Sequence, residues 1–135
     1  MDAKSKVLND LLVAIVDDDT SVRNSTRRLL HCSGLQAVTF ASAEDFLQSV
    51  SMAETGCVLL DLCMPGMGGL EMQRRLVESG RQIPIVFFSA RASEAEKLGA
   101  LRAGASDFLG KPVSKEVLLH AIHGALKARE ACSLG

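Results

Sequence analysis

Residues 13–20 read VAIVDDDT, and the adjacent carboxylates of Asp17, Asp18 and Asp19 are the first place where chemistry could reside. At about 4–5 Å and an effective dielectric near 20, each ionised pair repels by roughly 3–4 kcal/mol. A soluble turn needs only one Asp or Asn, so the cluster implies a neutralising partner. A hard divalent cation fits, because Mg²⁺ typically takes one or two protein carboxylates, some waters and a phosphate oxygen. Three other reactive side chains also sit where short apolar runs stop: Asp61 after CVLL, Ser89 after IPIVFF, and Lys111 before Pro112. An oxygen nucleophile, metal-binding acids, a hydroxyl and an ammonium make a set suited to phosphoryl transfer, where catalysis is mostly positioning and charge neutralisation.

Whether these residues meet depends on the elements that carry them. LLVAIV (11–16), LQAVTF (35–40), CVLLD (57–61) and IPIVFFS (83–89) are short apolar runs, with ASDFLGK (105–111) as a weaker fifth. Near-continuous apolarity over four to seven residues is the pattern of parallel strands covered on both faces. Helical stretches alternate with them. Val22–Cys32 places Val22, Leu29 and Leu30 on one face and stops at Gly34. The next helix opens at Ser42 with an acidic first turn, and another spans Gly68–Gly80. Ser93–Ala103 is a poor helix, because its apolar side is mostly Ala and Gly99 costs about 1 kcal/mol relative to Ala. Ser114–Arg129 is the best, with Val117, Leu118, Ala121, Ile122, Ala125 and Leu126 at i, i+3, i+4 spacing. Five strands alternating with five helices predict one doubly wound α/β sheet with right-handed crossovers. Sites in such sheets lie outside the carboxyl ends of the strands, which is where Asp17–Asp19, Asp61, Ser89 and Lys111 are expected.

The bulk properties agree with a single domain. The chain has 135 residues, 47% apolar and 23% charged, and neither a repeat nor a low-complexity linker. A net charge of −1 gives no support for nucleic-acid contact by this domain. Apolar runs end after six or seven residues, too short to span a membrane, and no secretory signal opens the chain. Cys32, Cys57, Cys63 and Cys132 lack C-x-x-C spacing, so reduced thiols in a cytoplasmic protein are expected, two of them buried.

The motifs VDDDTSVR, DLCMPGMGG, FFSAR and DFLGKP, in this order and spacing, resemble the response-regulator receiver domain of bacterial two-component signalling. The resemblance covers about residues 10–130, and SARASEAEKLGALRAGASDFLGKP is similar to the subgroup typified by the nitrogen-fixation transcription regulators. It implies a flavodoxin-like sheet of order 2-1-3-4-5, with residues 9–130 as the domain and 1–8 and 131–135 as tails. It implies that Asp61 accepts a phosphoryl group from a sensor histidine kinase. The cation, Mg²⁺ or alternatively Mn²⁺, would be held by Asp17, Asp18, Asp61 and the backbone carbonyl of Cys63. Lys111 would pair with the acceptor carboxylate and then with the phosphate, Ser89 would bond a phosphate oxygen, and Phe108 would turn inward on activation. A cis peptide bond would precede Pro112. Phosphorylation would bias the fourth helix, fifth strand and fifth helix, making residues 95–126 the expected face for a homodimer or other partner. The output would be transcription through a C-terminal domain. The domain itself would act as a switch rather than a turnover enzyme.

Plainer readings stand beside these. Asp19 lies where the loop enters the first helix, so capping is its expected work. His120 and His123 lack an acidic partner at a useful spacing, and with His31 they read as surface or partly buried helix residues; Arg27–Arg28 and Arg74–Arg75 read as solvated helix faces. Cys63 and Arg91, each two residues beyond a site residue, occupy positions that vary in the family and influence phosphate lifetime. An enzymatic alternative also exists. VDDDTSV resembles the opening motif of haloacid-dehalogenase-type phosphatases, with Asp17 as nucleophile and Asp19 as acid/base, but it leaves Asp61 and the DLCMPG block without a role. A flavin site on the same fold is disfavoured by the acidic strand ends and the absence of a phosphate loop.

Overall fold

The computed structural model describes residues 12–134. Five parallel strands form one sheet in the order β2-β1-β3-β4-β5: β1 Leu12–Val16, β2 Ala37–Phe40, β3 Thr55–Leu60, β4 Ile85–Ser89 and β5 Asp107–Gly110. Helices α1 Thr20–Cys32, α2 Ala43–Leu47, α3 Gly69–Glu78, α4 Glu94–Arg102 and α5 Lys115–Leu134 connect or follow them. After a register shift between Leu12 and Val13, the strands run in step toward their carboxyl ends, pairing Val16 with Leu60 and Leu60 with Phe87. The order changes direction between β1 and β3, so their carboxyl ends form the switch-point crevice of a doubly wound sheet.

Strand alternation divides the interior into two layers. Ala14, Val16, Val58, Leu60, Ile85 and Phe87 pack with Phe46 of α2, Met72 and Leu76 of α3, and Ala100 of α4. Val13, Ile15, Cys57, Leu59 and Val86 face the other way, onto Leu30 of α1 and Leu118, Ile122 and Leu126 of α5. All six residues of β3 are buried, which explains its uninterrupted apolarity. Among the cysteines whose burial is described, only Cys57 is buried; Cys32 and Cys63 are exposed, so the expectation of two buried thiols overshoots there. Burial pushes the Cys57 thiol up to about 12.

The helix signals have physical counterparts. Asp19 caps α1, its Oδ1 accepting from the Ser21 and Val22 amides at 2.9 and 3.1 Å. Ser42 caps α2 through the Asp45 amide, and Ser93 with Glu96 forms a capping box on α4. Gly34 and Gly80 end α1 and α3 at φ +84° and +79°, a left-handed turn that residues with a Cβ disfavour. Three departures follow from tertiary context, and the weak apolar side expected of α4 is present. α2 is only five residues long and is followed by a 3₁₀ turn, Val50–Glu54. α5 continues past Arg129 to Leu134, so residues 131–134 are helical rather than tail. Val117 is 48% exposed, outside the buried stripe of its helix. On α4 only Ala100 is buried, while Leu98 and Leu101 face outward, leaving this helix with the thinnest apolar anchor.

Candidate functional site

β1 and β3 deliver Asp17 and Asp61 side by side because they are hydrogen-bonded neighbours, the Asp61 amide donating to Val16 O at 3.0 Å; on the other side the Asp17 amide donates to Phe40 O of β2 at 3.2 Å. Asp18 follows in the loop. Carboxylate oxygens of Asp17, Asp18 and Asp61 all lie within 4.8 Å of one another, with Asp17 buried, Asp61 half-buried and Asp18 exposed. This is an all-oxygen, hard donor set open to solvent on one side, and it fits a divalent cation that keeps several waters. These acids line a cleft of about 280 Å³ with Cys63, Ser89, Arg91 and Lys111. A larger concavity of about 500 Å³ opens elsewhere, between α3, the start of β4 and the end of α4, and no carboxylate lines it.

Lys111 reaches the acids from the end of β5. Its Nζ donates to Asp17 Oδ2 at 2.7 Å and lies 3.9 Å from Asp61 Oδ2. The expected pairing with Asp61 is thus the longer of two contacts, and Asp17 is the main partner in this state. Nζ also sits 5.0 Å from the centroid of the Phe88 ring, which faces its charge with π density. The Lys111–Pro112 peptide bond is cis. Burial, the largest influence, pushes the Asp61 carboxyl above its ordinary range; Lys111 opposes this, Asp17 adds to it, the Cys63 backbone amide opposes it, and Asp18 adds a smaller push upward. Burial thus outweighs the Lys111 ammonium in setting the Asp61 carboxyl.

Ser89, 3% exposed at the end of β4, is engaged locally: its hydroxyl donates to Arg91 O at 3.1 Å and accepts from the Arg91 amide at 3.3 Å. The Cys63 thiol donates to the same Arg91 carbonyl at 3.6 Å. Phe108 of β5 is half-buried and stacked on Phe87, with centroids 5.5 Å apart and planes at 23°, so its ring packs inward in this state. Asp19, which a dehalogenase-type mechanism would use as acid/base, has its carboxylate committed to the α1 cap. His31, His120 and His123 are exposed helix residues away from the acids. Gly69, at the start of α3, packs against the acceptor strand end: a Cβ there would lie 2.6 Å from Asp61 O and 3.1 Å from Phe87 Cε1.

Two site contributors are not marked by sequence type. Arg23 donates from Nη1 to the Asp17 carbonyl at 2.6 Å. Gln73, 3% exposed, donates from Nε2 to Ala100 O at 3.0 Å and ties α3 to α4. An Arg seven residues past a strand end, closing the VDDDTSVR motif, and a Gln at an inward helix position are the only signals for them.

The model of the response regulator receiver domain matches residues 13–123. Response regulator protein TmoT of Ectopseudomonas mendocina is 44% identical over 116 residues, covering 86% of this chain and 53% of TmoT. Transcriptional regulatory protein TdiR of Thauera aromatica is 41% identical over 122 residues, covering 90% and 54%. The chain thus spans about half the length of these relatives. Among solved structures, response regulator StyR superposes with TM-score 0.86 at 38% identity, covering 93% of this chain and 63% of StyR. FixJ-N superposes with TM-score 0.81 at 34% identity, covering 87% and 94%. With the switch-point acids, the strand order and the matched sequence in agreement, the chain belongs to the response regulator receiver domain family.

Proposed function

We propose that this chain is the phospho-accepting switch of a two-component regulator, in which a sensor histidine kinase transfers a phosphoryl group to Asp61. Phosphoryl transfer to an aspartate is typical of the family. The observation that carries the assignment to Asp61 is its position: a strand-end carboxylate within 4.8 Å of two other acids and 3.9 Å from an ammonium. Mg²⁺, or Mn²⁺ in its place, held by Asp17, Asp18, Asp61 and the Cys63 carbonyl, would supply charge neutralisation for the phosphoryl oxygens. An Asp61 oxygen attacks phosphorus as the P–N bond to the kinase histidine breaks and the imidazole leaves with the bonding pair; that oxygen becomes the bridging oxygen of an acyl phosphate, which carries roughly two negative charges where the carboxylate carried one. Lys111 exchanges Asp17 for the new phosphate oxygens, and Ser89 turns its hydroxyl from Arg91 O toward them. Phe108, already stacked on Phe87, follows the displacement of β4 and Ser89. The result biases α4, β5 and α5 between two arrangements.

The exposed Leu98 and Leu101 favour residues 95–126 as the face that then meets a second copy or another partner. Output is transcriptional, through a further domain of the kind that the longer relatives have room for, and the switch works in the cytoplasm as a stoichiometric acceptor rather than a turnover enzyme. The test is incubation with acetyl phosphate and MgCl₂, followed by intact mass. One phosphoryl group is expected on the wild type and none on Asp61→Asn; modification that persists in Asp61→Asn refutes the acceptor assignment. Sedimentation of the phosphorylated sample tests the dimer separately.

A further inference from the structure

Arg23 stands in the first turn of α1, where a cation is disfavoured by about 0.3–1 kcal/mol because the helix N-terminus is itself positive. No acidic residue occupies that turn. Helical side chains lean toward the N-terminus, and Arg23 uses that lean to reach back over the cap. Its Nη1 donates to the Asp17 carbonyl at 2.6 Å, and its Nη2 donates to Thr20 Oγ1 at 3.2 Å. The Asp17 carbonyl is the first acceptor past the end of β1, and Arg23 takes the place of a ladder partner. On the far side of Asp18, the Asp19 amide donates to Asp17 Oδ1 at 2.9 Å. Asp18 therefore sits between two pinned peptide groups. Its own carboxylate is exposed, and no hydrogen bond from a protein donor to it is found among the described residues, so its direction comes from the backbone beneath it.

We propose that Arg23 is a positioning residue for the metal-binding loop: by holding the Asp17–Asp18 peptide, its guanidinium keeps the Asp18 carboxylate aimed at the space shared with Asp17 and Asp61. The inference rests on the assignment of that space to a divalent cation. A guanidinium suits the work better than an ammonium, because its fork engages the carbonyl and the Thr20 hydroxyl at once. Outer-shell partners that orient metal ligands typically change metal affinity by 10–100-fold when removed.

The experiment is calorimetric titration of wild type, Arg23→Lys and Arg23→Met with MgCl₂, with a metal-free circular-dichroism melt of each to establish folding. Both variants are expected to bind Mg²⁺ about tenfold more weakly. With acetyl phosphate, the Mg²⁺ concentration needed for half-maximal phosphorylation rises by the same factor, while the rate at saturating Mg²⁺ returns close to wild type. If the guanidinium acts only as a charge, Arg23→Lys binds as tightly as wild type and Arg23→Met binds more tightly, since a cation beside a dication is repulsive; that result overturns the proposal. Equal affinity in all three proteins overturns it as well. A wild type that takes up no Mg²⁺ overturns the metal assignment itself, and that failure is recognised by its appearance in the unsubstituted chain.

Discussion

Replacing Lys111 with Met removes the ammonium and keeps an unbranched chain beside Phe88. In the wild type, Nζ lies 2.7 Å from Asp17 and 3.9 Å from Asp61, and the three side chains are 16%, 5% and 11% exposed. At an effective dielectric near 20 these separations correspond to about 6 and about 4 kcal/mol of attraction. Desolvating the ammonium offsets several kcal/mol of that. Truncation leaves two clustered carboxylates without their cation, a situation in which losing one partner of a buried pair costs about 3–5 kcal/mol. At this chain length the loss is roughly 10–15 °C in Tm. The pH dependence has a definite sign. Burial already raises the Asp61 carboxyl above its ordinary range and Lys111 draws it back, so removing Lys111 lifts it further. Folded Asp61 then binds its proton more tightly than the unfolded chain does. Its cost is present above the folded pKa and is relieved as pH falls through it. The Lys111→Met deficit is thus largest at pH 7 and shrinks on acidification through the upper carboxylate range. Added Mg²⁺ restores about 2.7 kcal/mol at one hundred times its Kd. The chain has no Trp or Tyr, so far-UV circular dichroism in urea is the assay. A Lys111→Met protein as stable as wild type at pH 7 without metal refutes the reasoning, as does a deficit that grows on acidification.

Other substitutions test how the site is held. Gly69→Ala places a methyl 2.6 Å from Asp61 O, so the loop must move; a net loss of about 1–3 kcal/mol is expected, with slower phosphorylation, and an unchanged urea midpoint counts against the close packing. Gln73→Leu removes the bond from α3 to Ala100 O, but that carbonyl still accepts from the Ala105 amide at 3.1 Å. Global stability should change by no more than about 1 kcal/mol. Amide exchange across Glu94–Arg102 should quicken while β3 stays protected, and exchange unchanged in α4 rules out Gln73 as its tether.

Most of the architecture was legible because parallel strands buried on both faces leave uninterrupted apolar runs, and the residues that end those runs must converge at one sheet edge. Asp17, Asp61, Ser89 and Lys111 were found that way, and Asp19 separated from them by its place before α1. What stayed hidden depends on distances or on neighbours. Which carboxylate Lys111 prefers is decided by little more than 1 Å between Asp17 and Asp61. Arg23 closes the VDDDTSVR motif without an assigned role until its backward lean meets the Asp17 carbonyl. Val117 fits the helical stripe of α5, but it lies in the first turn and is left exposed. The burial of Gln73 reflects an acceptor on another helix, which periodicity cannot see.

The two groups proposed to receive the phosphate are both occupied before it arrives, and this links the chemistry to the surface. Ser89 is bonded to the Arg91 carbonyl, in the loop between β4 and α4, and Lys111 is bonded to Asp17. In the proposed reaction each must give up that partner. When Ser89 leaves, Arg91 O keeps, among the described residues, the weak Cys63 thiol as its donor, so the loop feeding α4 loses its firmer restraint. When Lys111 shifts, it moves the end of β5, whose Phe108 stacks on Phe87, two residues before Ser89 on β4. Both displacements therefore bear on α4, the helix with one buried residue and a single side-chain tether from α3 among the described contacts. An element this weakly held needs only a few kcal/mol of bias to change its population. Losing one charge-assisted and one neutral hydrogen bond, and replacing both with bonds to a phosphate, is a change of that size.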